Sequence, residues 1–204
     1  MNERELYLAL DFDGVLHSTQ LGPTKKHCTD YAAGHLSAGE FLDLVSKDKR
    51  ARYHLTSECI DFLFDRAAVF AKTFTCIPKV QTKLVIATSW RNAMSAGALQ
   101  ALVPAVLAPH VCGVLDPHEE EHREPGTRAR LMEKWMAEHA PHARWLAVDD
   151  DAWLWEGAHS RLVQPPRDGL DGPTWFELRA LCHALSEDVG KFDSMLESRS
   201  EVSA

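Results

Sequence analysis

Three short apolar runs, each stopped by a polar or acidic residue, constrain the fold of this chain more than any other feature. Leu6-Tyr7-Leu8-Ala9-Leu10 ends at Asp11, Leu84-Val85-Ile86-Ala87 at Thr88-Ser89, and Trp145-Leu146-Ala147-Val148 at Asp149-Asp150-Asp151. Continuous apolar runs of this length, without polar alternation, suit strands covered on both faces, the condition of a parallel sheet. His110–Leu115 and Arg161–Gln164 are weaker strand candidates. Helical patterns fall between them. Ser57–Lys72 spaces Ile60, Leu63, Phe64, Ala67, Ala68 and Phe70 at close to 3.6 residues, and Asn92–Leu102 is rich in Ala and Leu and stops before Pro104. Thr127–His139 carries Leu131, Met132, Trp135 and Met136, and Pro173–Leu185 carries Phe176, Leu178, Leu181 and Leu185. Strands alternating with helices predict an α/β chain, a Rossmann-type parallel sheet with helices on both faces.

Two segments stand outside this alternation. His17 to about Leu55 is long, polar and glycine-containing, and reads as a small insertion or cap after the first strand. Residues 186–204 read as a polar C-terminal tail, expected to fray or be disordered. That leaves one domain over 1–185, a size able to bury a full core.

Charge and composition remove several function classes. Lys and Arg number 22 against 30 Asp and Glu, a net −8, which speaks against a general nucleic-acid coat. The acidic start Met1-Asn2-Glu3-Arg4-Glu5 does not fit a signal peptide. The long uncharged stretch Asn92–Leu115 holds Pro104, Pro109, Gln100, His110 and two glycines, so it reads as helix, loop and strand, with no membrane span expected. Cys28, Cys59, Cys76, Cys112 and Cys182 are odd in number and lack C-x-x-C spacing, which suits a reduced, cytoplasmic protein.

The chemistry gathers where the apolar runs stop. An open parallel sheet binds ligands outside the carboxyl ends of its strands, at the point where strand order reverses. Those ends carry Asp11 and Asp13, Thr88 and Ser89, and Asp149 to Asp151. Four or five carboxylates in one crevice repel unless a cation neutralises them, and hard oxygen donors suit Mg²⁺ bridging to a phosphate. In Asp11-Phe12-Asp13-Gly14-Val15 one carboxylate can attack phosphorus while the other moves the leaving group's proton. The same residues would also serve as an Asx-rich turn capping a strand.

Taken in order, Asp11-Phe12-Asp13-Gly14-Val15, Thr88-Ser89-Trp90-Arg91 and Val148-Asp149-Asp150-Asp151 resemble the motifs of the haloacid dehalogenase-like (HAD) hydrolase superfamily. Trp90-Arg91, Gly113-Val114 and Gly169-Leu170 resemble more closely the branch found as a domain in bacterial multi-enzyme RNA-repair proteins. The resemblance spans about Leu6 to Leu185. It implies a Mg²⁺-dependent phosphatase working through an aspartyl-phosphate, with Asp11 as nucleophile and Asp13 as general acid, then base. It implies that Thr88, or its neighbour Ser89, hydrogen-bonds the phosphoryl group. Asp149 and Asp150 would complete a metal shell with the Asp11 carboxylate and the Asp13 carbonyl. Where the superfamily usually places a lysine this chain has Arg128, with Lys134 as the alternative nearly two turns on. Arg binds phosphate bidentately, so the exchange is chemically tolerable. Dehalogenases of the superfamily lack the second aspartate of the first motif, so Asp13 points to phosphate chemistry. The expected partner is a phosphorylated small molecule or, alternatively, a nucleotide or oligonucleotide end; a non-catalytic binding protein on the same fold is a third reading.

Other features have plainer explanations. His118-Glu119-Glu120-Glu121-His122 matches H-E-x-x-H, but it lies between Pro117 and Pro125 with no apolar face, so a solvated acidic loop and no zinc site is expected. Trp145, Trp153, Trp155 and Trp175 read as packing rather than base stacking, and Trp90 either packs beneath the pocket or shapes it. Lys47–His54 carries +3 in a negative chain and reads as a solvated surface or a substrate-facing patch.

Overall fold

The computed structural model describes residues 4–17, 22–53, 63–118, 124–166 and 169–202. Five strands form one parallel sheet in the order β3 (Val111–Val114), β2 (Val80–Ile86), β1 (Arg4–Leu10), β4 (Arg144–Val148), β5 (Leu162–Val163). All three apolar runs are strands of this sheet. Leu8 lies opposite Leu84 of β2 on one side and Leu146 of β4 on the other. Strand order reverses between β1 and β4, so the crevice for ligands opens beyond Leu10 and Val148.

The lack of polar alternation has a direct cause. Leu6, Leu8 and Leu10 enter one core with Phe70 and Phe74 of α3 (Ala67–Thr75) and Leu178, Leu181 and Leu185 of α6 (Gly172–Glu187). Tyr7 and Ala9 face the other, with Ala129, Met132 and Met136 of α5 (Thr127–His139). Helices on both faces of a parallel sheet make this a Rossmann-type α/β fold.

Local chemistry sets several helix ends. The Ser95 hydroxyl accepts the Ala98 N–H at the start of α4 (Ala96–Leu102), and the Asp171 carboxylate accepts the Thr174 N–H (2.9 Å) at the start of α6. The expected helix Asn92–Leu102 is accordingly shorter, since Ser89–Asn92 form a separate 3₁₀ turn. The expected Ser57–Lys72 helix also differs. Phe64 has φ of 66°, outside the helical region, so the chain turns over 63–66 and α3 starts at Ala67; residues 57–62 lie outside the described residues.

The segment after β1 is more structured than its polarity suggests. It contains α1 (Lys25–Ala32) and α2 (Ala38–Tyr53), and Cys28, Phe41 and Val45 join the main core. The C-terminal segment corrects the sequence expectation outright. In place of a frayed tail, Val189–Val202 form α7, with Phe192 and Leu196 buried. Val189, Phe192, Met195 and Leu196 recur on one helical face, and the Arg144 guanidinium grips Asp193 through two 2.8 Å bonds. No helix among the described residues is long and apolar enough to cross a membrane.

Candidate active site

Asp11 leaves the end of β1 with its N–H still bonded to the Val148 carbonyl of β4 (3.1 Å), so the strand pairing fixes its backbone at the switch point. Asp11, Asp149 and Asp150 each offer an oxygen, and these atoms lie within 4.8 Å of one another. Arg128, near the start of α5, is 2% exposed and its side chain reaches this cluster. One guanidinium nitrogen contacts Asp149 Oδ2 and stands 3.4 Å from Asp11 Oδ1. Burial pushes the Asp11 carboxyl well above the usual carboxylate range, against the pull of Arg128, and Asp149, Asp13 and Asp150 add to the rise.

Asp149 is wholly buried and occupied by donors. Besides Arg128, its carboxylate accepts the Trp155 indole N–H (2.8 Å) and the Asp151 N–H (2.9 Å). Asp150 is half-buried and sits against Gly14. A Cβ on Gly14 would meet Asp150 Cγ at 2.3 Å, and φ there is +72°, so both space and backbone require glycine. The donor set fits a hard cation: all oxygens, with Asp11 Oδ1 buried and lacking a hydrogen-bond partner.

Asp13 lies outside the three-carboxylate cluster. Its Oδ1 bonds His17 Nε2 (2.9 Å) and its Oδ2 accepts the Trp90 indole N–H (2.7 Å). Gly22 packs so close to the carboxylate that an added Cβ would lie 2.0 Å from Oδ1.

At the end of β2, Thr88 is fully buried and its hydroxyl has no hydrogen-bond partner, while Ser89 is half-buried at the start of the 3₁₀ turn. Arg91 braces this strand end. Its guanidinium donates to the carbonyls of Ala87 (2.5 Å), Thr88 (2.8 Å) and Asp116 (3.1 Å).

Of the two candidates for the lysine position, Arg128 reaches the acids; Lys134 is exposed and pairs with Asp116 at 3.1 Å. Trp90 is both packed and bonded to the site, being 3% exposed. Trp145 and Trp155 are buried, whereas Trp153 is 51% exposed. In the H-E-x-x-H stretch, His118 donates its N–H to Asn92 Oδ1 (2.8 Å), and residues 119–122 lie outside the described residues. Lys47 is exposed on α2; the side chains of 48–53, and all of His54, also lie outside them. Sequence reasoning missed His17, Gly22 and Trp155. His17 had a signal, four residues after Asp13 in an acid motif, whereas Trp155 meets Asp149 only through a turn no spacing rule announces.

A parallel sheet with Asp-x-Asp at the end of its central strand and Asp-Asp across the switch point has the layout of a HAD-superfamily domain. Within it, the model for the HAD domain in Swiss Army Knife RNA repair proteins matches residues 7–173, and the chain belongs to that family. No curated protein and no solved structure matches the chain significantly. Membership in a HAD domain family points to a phosphatase-type hydrolase.

Proposed function

We propose that the protein is a Mg²⁺-dependent phosphatase that removes a phosphate monoester from the end of a nucleic-acid strand through an aspartyl-phosphate on Asp11. The observation that carries the reading is the Asp11 carboxylate: buried at the end of the central strand, one oxygen without a hydrogen-bond partner, and faced by Arg128. The family's RNA-repair description favours a strand end over a small metabolite.

In this mechanism an Asp11 oxygen attacks phosphorus while the bond to the leaving oxygen breaks, and Asp13 gives that oxygen its proton. Asp13 then takes a proton from the water that attacks the acyl phosphate, which frees inorganic phosphate and restores Asp11. Arg128 opposes the rise that burial imposes on the Asp11 carboxyl, and so favours its ionised, nucleophilic form. The Thr88 hydroxyl, buried and unpartnered, donates to a phosphoryl oxygen; Ser89, more exposed, is the neighbouring donor. Mg²⁺, held by Asp11, Asp150 and the Asp13 carbonyl with Asp149 beside them, would neutralise charge on the phosphoryl group. A reducing, cytoplasmic setting belongs to the same proposal, since Cys28, Cys76, Cys112 and Cys182 are free thiols.

The test is phosphate release with Mg²⁺ from 3′- and 5′-phosphorylated oligonucleotides and a panel of phosphorylated metabolites. Oligonucleotide turnover that vanishes in a folded Asp11→Asn variant is expected. Turnover of metabolites alone would reassign the substrate, and undiminished turnover in Asp11→Asn would sink the mechanism.

A further inference from the structure

Asp13 is held by two N–H groups that arrive from different parts of the chain. His17 lies four residues downstream, and Trp90 comes from the turn after β2, 77 residues away. Each carboxylate oxygen takes one donor and keeps a second lone pair. Neither ring is free to move. His17 is 0% exposed and Trp90 3%, and both pack edge-on or tilted against Phe64, with ring centroids 5.5 and 5.9 Å away. Phe12 closes the cluster, 5.3 Å from Trp90.

Phe64 supplies an independent sign that this arrangement is specified. Its φ of 66° is a conformation that L side chains other than Asn and Asp seldom adopt, and strain of this kind persists where surrounding structure demands it. In that conformation its N–H donates to His17 Nδ1 at 3.5 Å. A ring nitrogen that accepts a hydrogen bond carries no proton, so this contact favours the tautomer with its proton on Nε2, the nitrogen facing Asp13. The Phe64 N–H thus favours, from one side, the tautomer that donates to Asp13 on the other.

We propose that His17 and Trp90 are the positioning residues of the acid–base carboxylate. Their two N–H groups fix the rotation of the Asp13 side chain, so that its remaining lone pairs meet the leaving oxygen and then the attacking water. The inference rests on the reading of Asp13 as general acid and base. Orientation of such a group is part of its catalytic worth, because proton transfer requires hydrogen-bond geometry in the transition state.

Leaving groups separate a positioning role from a structural one. Nitrophenolate departs from p-nitrophenyl phosphate without a proton, whereas the sugar alkoxide of an oligonucleotide end needs one. With Mg²⁺, Asp13→Asn should lower kcat/KM on the oligonucleotide by about 10²–10⁴-fold and much less on the aryl ester. His17→Met and Trp90→Phe, which remove one donor each and keep bulk, should each lose about tenfold or more on the oligonucleotide and about twofold or less on the aryl ester. His17→Gln, which puts an amide N–H near the Nε2 position, should recover most of the loss. Adding His17→Met to Asp13→Asn should cost nothing further. In ring ¹H–¹⁵N spectra of the unsubstituted protein, His17 should appear as the Nε2–H tautomer. Equal losses on both esters in His17→Met and Trp90→Phe, beside a discriminating Asp13→Asn, would overturn the inference and leave the role of Asp13 intact. So would an Nδ1–H tautomer. An Asp13→Asn variant with no leaving-group dependence would instead overturn the acid–base reading.

Discussion

Replacing Arg128 by Met should destabilise the protein more than most single changes in it. The side chain is 2% exposed and faces Asp149 at 0% and Asp11 at 7%, so its removal strands two desolvated carboxylates. Breaking a buried ion pair from one side costs about 3–5 kcal/mol. In a domain of this size each kcal/mol moves Tm by about 2–4 °C, so the expected fall is about 6–20 °C. The loss should depend on pH in a definite direction. Burial already raises the Asp11 carboxyl in the folded state, and Arg128 opposes that rise. A folded-state pKa above the unfolded one means stability is lost as pH climbs from the unfolded value, about 4, towards the folded one. Without Arg128 the folded value climbs further, so the Asp11 share of the loss should be small near pH 4 and grow toward neutrality. Mg²⁺ should stabilise the variant more than the unsubstituted protein, because it finds uncompensated acids there. Arg128→Lys should stay within about 1–2 kcal/mol of the original, since a single nitrogen makes both contacts. Urea unfolding at a series of pH values, with and without Mg²⁺, is the assay. A loss below about 1 kcal/mol at neutral pH, or one that ignores pH, would refute the reasoning.

Three further outcomes follow from the geometry. Gly14→Ala should drive Asp150 aside, because the new Cβ would lie 2.3 Å from its Cγ, and lower Mg²⁺ affinity by about 10–100-fold in calorimetry; unchanged affinity counts against the Asp150 ligand assignment. Phe192→Ala should cost about 3–5 kcal/mol in denaturant unfolding, since the ring is wholly buried, and a loss near zero would mean that α7 adds little to the core. Asp193→Asn should cost about 1 kcal/mol or less at neutral pH, both partners being about a third exposed. Arg144 holds the Asp193 carboxyl below its ordinary value, so the gap should persist above about pH 4 and close as acid protonates it; a gap constant down to about pH 3 would refute the pairing.

Much of the fold was legible because its signals are local. Leu6–Leu10 reads as a doubly covered strand since every residue in it meets one of the two cores. Thr127–His139 matches its helix end to end, bounded by Gly126 and Pro141. The acids were legible for the same reason: each sits where an apolar run stops. Long-range coincidence was not. Nothing near Asp13 announces that Trp90 will donate to it, and the left-handed Phe64 hides inside an apolar spacing that mimics a helix. The C-terminal helix was misjudged through composition. Its polar majority masks Phe192 and Leu196, four residues apart on one face, and burial follows the face rather than the average.

The crowding of donors around Asp149 bears on how the acids should be dissected. Three N–H groups, from α5, the 3₁₀ turn and the loop itself, converge on its two oxygens, so the position demands a pure acceptor. Asparagine, the usual shape-matched substitute, would turn an amide N–H toward at least one of those donors and leave Arg128 without its counter-charge. Asp149 is in that sense a joint between β4 and α5 as much as a site residue. Under the proposed Mg²⁺ site, Asp150, half-buried and beside Gly14, is the position where removing a charge should read out the cation, and Asp149 the one where it should read out the frame.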